Sequence, residues 1–258
     1  MNSFFYGGST NIGCRRDVNE DFIGAWELGE DVLLAIIADG AGSKTSSLQP
    51  AAIAGSRIRE VIERVYRKNQ DLFFEGIETF LEESFQTANQ ILGAFKMGNE
   101  ELYAGFGTSI TACVFYQNKF TFCHAGNTRL YRIRVNEKDK VPSILQLTQD
   151  HTKATRLLKE GIIEPELFYA HPDRLTMTSG LGVVPDPVFQ VFSAKLKVND
   201  IFLLTTDGIH YAIRPEAMTD IIAQSGDCSS AADALIEAAK MQKYMDNMSS
   251  MLVWKKND

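Results

Sequence analysis

Three aspartates, far apart in the chain, each stand beside a short apolar run. Asp39-Gly40 ends VLLAIIA (Val32 to Ala38), Asp207-Gly208 follows IFLL (Ile201 to Leu204) within three residues, and Asp246-Asn247 precedes MLVW (Met251 to Trp254). Runs this short, rich in β-formers and bounded by turn residues, predict buried strands. Their ends would deliver carboxylates to one place. A further acidic segment, Arg16-Asp17-Val18-Asn19-Glu20-Asp21, sets a cation beside Glu20 and Asp21 ahead of the apolar stretch FIGAW. Gathered carboxylates repel and raise one another's pKa, so such a site needs a compensating positive charge. Oxygen donors without paired Cys or His favour Mg²⁺, Mn²⁺ or Ca²⁺ over zinc or copper. Taken singly, an Asp-Gly is a turn in which Gly supplies the unusual backbone angles, Asp246-Asn247 a cap and Arg16 a solvated charge. The set, each acid at the margin of an apolar run, carries the metal-site expectation.

The elements that must position these acids are readable from periodicity. β-type runs fill the first forty residues. From about Ser47 to Lys68, Ala51, Ile53, Ala54, Ile58, Val61, Ile62 and Val65 recur at three- and four-residue spacing, and Phe73 to Met97 repeats that pattern, which predicts two long amphipathic helices. GTSITACVFY (Gly107 to Tyr116) and KFTFCHAG (Lys119 to Gly126) read as a hairpin, followed by an alternating strand from Thr128 to Val135. A helical stretch, TRLLKEG, and a polar proline-containing segment come next. Strands at Val188 to Leu196 and Ile201 to Thr205, helices at about Pro215 to Ala223 and Ser229 to Lys240, and a final strand complete the order. Strands in meanders with helices grouped in pairs argue for an α+β fold in layers, not a repeating βαβ unit.

With 258 residues, 45% hydrophobic and no recognisable linker, the chain can bury one large core, and a single domain over residues 1–258 is expected. A net charge of −7 without any basic block disfavours nucleic acid and anionic membrane surfaces as partners. Cys14, Cys113, Cys123 and Cys228 form no CxxC pair and read as small thiols in a reducing compartment. Nothing approaches the roughly 20 apolar residues of a membrane span, and the first residues lack the charged and apolar regions of a signal peptide. A cytoplasmic protein, monomeric by default, is expected.

In order along the chain, RRDVNEDF, IIADGAGS, GFGTSITACVF, FCHAGNTRLYRIR, LTQDHT, LLKEGIIEPELFYAHPDRLTMTSGLG, DIFLLTTDGIH and DNMSSMLVW resemble the motifs of the metal-dependent Ser/Thr protein phosphatases of type 2C, most closely the bacterial branch. The likeness runs almost end to end. It implies a four-layer α/β/β/α sandwich, two stacked antiparallel sheets flanked by paired helices, with the metals at one end. It also implies that Asp39 bridges two Mn²⁺ or Mg²⁺ ions, that Asp207 and Asp246 complete the first site, and that Glu20 and the Gly40 carbonyl serve the second. Asp21 would orient the attacking water, and Asp39, Asp207 and Asp21 would form the catalytic group. Arg16, by the family's spacing, would bind the substrate phosphate with a planar fork that Lys lacks. The substrate would be a phosphoprotein, either the target of a Ser/Thr kinase or the kinase itself.

The chain departs from the family's pattern at four places. Ala41 follows Asp39-Gly40 where eukaryotic members carry His and bacterial relatives usually Met. Gly126-Asn127-Thr128-Arg129 replaces Gly-Asp-Ser-Arg, so a third metal should bind weakly or not at all at Asn127. SKTSSLQPAA replaces the usual link into the first helix, and Ser179 an Arg. The four histidines show no ligand spacing and read as structural. The segment from Lys159 to Arg174 reads as a flap beside the site. Asn127 also motivates an alternative, a catalytically weak regulatory module that binds phosphoprotein without turnover.

Overall fold

A computed structural model describes residues 4–42, 48–98, 101, 105–135 and 141–256. Within it run β1 (Phe4–Asn11), β2 (Phe22–Gly29), β3 (Val32–Ala41), α1 (Pro50–Lys68), α2 (Gln70–Glu75), α3 (Ile77–Lys96), β4 (Gly107–Tyr116), β5 (Lys119–Ala125), β6 (Arg129–Val135), β7 (Pro142–Gln146) and α4 (Lys153–Lys159). Two 3₁₀ turns, Pro165–Ala170 and Pro172–Leu175, follow, and then β8 (Gln190–Lys195), β9 (Ile201–Thr205), α5 (Asp207–His210), α6 (Pro215–Ala223), α7 (Cys228–Met241) and β10 (Met248–Lys255).

The strands form two five-stranded antiparallel sheets, one in the order β1-β10-β9-β6-β7 and the other β2-β3-β4-β5-β8. Leu33, Ile37, Phe115 and Phe122 of one sheet meet Phe4, Phe202, Leu204 and Val253 of the other in a shared core. The outer face of the β3 sheet, with Leu34, Ile36 and Ala38, is covered by Ala54, Ile58 and Ile62 of α1 and Leu81 and Phe85 of α3. On the opposite side α6 and α7 cover Tyr131, Leu203 and Leu252 through Met218, Leu235 and Ile236. The molecule is therefore the four-layer α/β/β/α sandwich that the resemblance implied. Because β3 is covered on both faces, its sequence is apolar without alternation, and each fully buried Leu or Ile contributes roughly 1.5–3 kcal/mol.

The two long helices differ from the periodicity reading. The second helix is split at Gly76 into α2, capped by Asn69 accepting from the Leu72 amide, and α3. Phe73 and Ile77 are both buried across the break, so the apolar spacing continues although the helix does not. The first helix starts at Pro50, whose fixed φ and missing N–H suit a first helical position. Ser43 to Ser47, in the replaced link, lie outside the described residues. Ser179 is buried and clasps Val188, donating to its carbonyl (3.1 Å) and accepting from its amide (2.8 Å).

Candidate active site

The acids stand at one end of the sandwich, each set there by a strand end. Asp39 lies near the end of β3 opposite Ser109, and its carbonyl accepts from Thr108 Oγ1 at 2.8 Å. At Gly40 a Cβ would come within 2.7 Å of the Glu20 carbonyl oxygen, so glycine is what lets β3 pass the N-terminal loop this closely. Asp207 opens the one-turn α5 directly after β9. A Cβ on Gly208 would strike the Asn247 carbonyl, so the Asp207 turn and the start of β10 press together. Asp246 therefore arrives beside Asp207 at the start of β10, after α6 and α7.

Electrostatics report the same convergence. Burial pushes the Asp207 carboxyl up to about 7, with Asp246 raising it further, while the Asn127 amide, Arg16 and Arg174 pull it down. Asp21 is also raised to about 7 by burial, against hydrogen bonds from Ser249 and Thr206 and with added repulsion from Asp207 and Asp246. Asp39 is raised well above the usual carboxylate range by burial and then by Asp207, Asp21 and Asp246. Four like charges thus feel one another in a mostly desolvated place.

Arg16 is the cation nearest them. Its Nη2 donates to Asp246 Oδ2 at 2.7 Å, and its side chain is half exposed at the edge of the cluster. The Glu20 carboxylate is engaged by the backbone just after Asp39, with Oε1 accepting from the Gly42 amide at 2.7 Å. These two engagements bear on the result that, among the described residues, no three His, Cys, Asp or Glu side chains already stand as a ligand set. The donor chemistry nonetheless fits hard divalent cations. Asp207 Oδ1 and Asp21 Oδ1 are buried without any hydrogen-bond partner. An unpaired buried carboxylate oxygen among other carboxylates calls for a cation.

Asn127 is buried, and its Nδ2 donates to Asp207 Oδ2 at 3.3 Å. The turn that carries it is gripped by Ser109 Oγ, which accepts from the Asn127 and Thr128 amides at 2.7 and 2.6 Å. Beneath lies His124, lowered to about 3 by burial and so neutral, bonded to Thr111 Oγ1 and to the Gly126 and Gln149 carbonyls. At the end of the segment from Lys159 to Arg174, Tyr211 Oη donates to the Arg174 carbonyl at 3.0 Å. Arg129, fully buried against Asp150 through two bonds of 2.9 and 2.7 Å, lies over the Tyr169 and Tyr211 rings.

Sequence reasoning missed three residues that hold the acids. Thr206 Oγ1 and Ser249 Oγ donate to Asp21 Oδ2 at 2.9 and 2.7 Å, fixing one oxygen and leaving the other for the cluster. Asn247, noted only as the neighbour of Asp246, bonds to three backbone groups of the N-terminal loop. The only signal for any of them was adjacency to Asp207 or to Asp246.

The chain belongs to the protein phosphatase 2C family, whose model matches residues 14–252. It is thereby one of the phosphoprotein phosphatases. It is similar to the serine/threonine phosphatase Stp of Listeria welshimeri, 26% identical over 245 residues that make up 95% of this chain and 93% of that protein. Among solved structures it resembles the Ser-Thr phosphatase MsPP from Mycobacterium smegmatis in complex with cacodylate, with TM-score 0.77, 26% identity and coverage of 96% and 97%. The catalytic domain of the serine/threonine phosphatase PstP, solved with two manganese ions, has the same fold, with TM-score 0.76, 24% identity and coverage of 98% and 99%.

Proposed function

We propose that this protein hydrolyses phosphoserine and phosphothreonine in protein substrates at the Asp39, Asp207 and Asp246 cluster, using two divalent cations, Mn²⁺ or Mg²⁺. The observation that carries the reading is the set of buried carboxylates with raised pKa and two unpartnered oxygens. Asp39, Asp207, Asp246, Glu20 and the Gly40 carbonyl would hold the cations. Bound there, they would supply Lewis acidity toward phosphoryl oxygens and acidify water to a nucleophile near neutral pH.

The chain's own groups do the rest. Arg16 presents a planar fork to the phosphate at the cluster's edge, a geometry suited to two oxygens at once. Asp21, held by Thr206 and Ser249, keeps Oδ1 available to accept a hydrogen bond from the attacking water. Asn127 holds Asp207 by one oxygen, which leaves Oδ1 for the cluster. Water adds to phosphorus as the seryl or threonyl oxygen departs with a proton, giving alcohol and inorganic phosphate. On this reading residues 1–258 act as one catalytic domain and as a monomer in the cytoplasm, on the target of a Ser/Thr kinase or on the kinase itself. No described helix is long and apolar enough to cross a membrane. No observation favours binding without turnover, since no proposed ligand is missing from the chain.

A paired titration tests the proposal: Mn²⁺ binding by calorimetry and phosphate release from a phosphothreonine peptide, in the wild type and in Asp39→Asn. Loss of both in the variant is expected. Full hydrolysis by Asp39→Asn would refute the assignment.

A further inference from the structure

The segment from residue 12 to residue 21 carries Arg16, Glu20 and Asp21, yet it is irregular throughout, between the end of β1 and the start of β2. Groups meant to meet a phosphate and a cation need to be held more firmly than such backbone holds itself. Asn247 does the holding. It is 4% exposed. Both hydrogens of its Nδ2 are used, one to the Ile12 carbonyl at 2.8 Å and one to the Val18 carbonyl at 3.1 Å. Its Oδ1 accepts from the Glu20 amide at 2.9 Å. The two carbonyls bracket Arg16, and the amide belongs to Glu20 itself.

The main chain of the same residue faces the other acids. Its amide donates to Asp246 Oδ1 at 2.9 Å, and its carbonyl closes against Gly208, next to Asp207. One side chain therefore ties the Arg16 and Glu20 loop to the two strand-borne acids from the far end of the chain.

We propose that Asn247 is a positioning residue that fixes the phosphate-binding Arg16 and the second-cation group Glu20 relative to Asp246 and Asp207. This rests on the phosphatase reading above. The dependence is selective. Asp39 is set by β3, Asp207 by β9 and α5, and Asp246 by the main-chain amide of Asn247, which both variants keep, so the first cation site does not rely on the Asn247 side chain. The second cation and the phosphate do. An Asp at this position keeps an acceptor for the Glu20 amide but turns a carboxylate oxygen toward the Ile12 and Val18 carbonyls. A Ser is too short to span the three groups.

The test compares the wild type with Asn247→Asp and Asn247→Ser, using Mn²⁺ alone in calorimetry and a phosphothreonine peptide in kinetics. Arg134→Lys serves as a stability control, because it weakens the Arg134–Asp200 pair, which involves none of these groups. In both Asn247 variants the second Mn²⁺ should bind about tenfold or more weakly with the first unchanged, since groups that orient ligands typically contribute on that scale. KM should rise by more than kcat falls, and Arg134→Lys should lower Tm without either effect. Unchanged second-site affinity and unchanged KM beside a lowered Tm would overturn the proposal and leave Asn247 merely structural. If neither variant folds, hydrogen exchange in the wild type decides. A Glu20 amide as protected as those of β3 supports the tie, and one exchanging as fast as an open loop refutes it. A wild type that binds no Mn²⁺ at all overturns the phosphatase reading, and this inference with it. Variants that bind two cations with wild-type affinity and keep the wild-type KM overturn this inference alone.

Discussion

Replacing Asp207 with Asn should stabilise the protein in chelator and disable it in metal. Asp207 is 6% exposed, and its carboxyl is raised from 3.8 to about 7 by burial and by Asp246. A raised carboxylate pKa means that the folded chain binds more protons than the unfolded chain between those two values, so its stability falls as pH rises through that window. Roughly three units at 1.36 kcal/mol each correspond to about 4 kcal/mol of unfavourable ionisation above pH 7. Asn keeps the shape and an acceptor oxygen for the Asn127 amide while removing the charge. Asp207→Asn should therefore gain up to about 4 kcal/mol in chelator at pH 8, or on the order of 10 °C in Tm for a chain of this size. The gain should shrink as pH falls toward 5, where the wild-type group is protonated when folded. Excess Mn²⁺ should narrow the gap, since saturation to a hundred times Kd stabilises the wild type by about 2.7 kcal/mol and the variant by less. Thermal unfolding at pH 5, 6.5 and 8, with and without Mn²⁺, reads all of this. A variant no more stable than wild type at pH 8 in chelator, with an unchanged pH slope, would refute the electrostatic account of the cluster.

Further expectations concern neighbouring groups. Arg16→Ala should raise KM for a phosphopeptide more than it lowers Mn²⁺ affinity, and equal losses in kinetics and calorimetry would make Arg16 structural. Asn127→Asp replaces the amide that donates to Asp207 with another carboxylate, so it should add Mn²⁺ binding at millimolar concentration, and an unchanged calorimetric titration would remove Asn127 as the limit on a third ion. Mn²⁺ affinity should weaken as pH falls below about 7, where Asp21 and Asp207 take up protons, and a flat profile between pH 8 and 6 would contradict that. Arg129→Ala leaves the Asp150 carboxylate buried and unpaired, and denaturant unfolding should show a loss of about 3–5 kcal/mol.

What the sequence disclosed follows from where the signal was local. β3 was legible because burial on both faces leaves an unbroken apolar run, and Asp39 was legible as its polar end. β7 was missed because Pro142–Gln146 is an edge strand with alternate residues exposed, and it carries too few apolar positions to stand out. The break at Gly76 was hidden by the apolar residues packed on either side of it. The acids could be gathered by type and context, but their supports could not. Asn127 reaches Asp207 only because the chain passes from one sheet to the other between β5 and β6, which places β6 beside β9. Asn247 grips a loop some 230 residues earlier because β1 pairs with β10. Such pairings are set by sheet order, which no spacing within either segment encodes.

The measurement that bears most directly on the central claim is hydrolysis of a phosphothreonine peptide with and without Mn²⁺, with Asp207→Ala as the paired control. Metal-dependent release of phosphate, abolished by the substitution, is the predicted result. A wild type that binds Mn²⁺ and releases no phosphate, or an Asp207→Ala variant that turns over as fast as wild type, would contradict it.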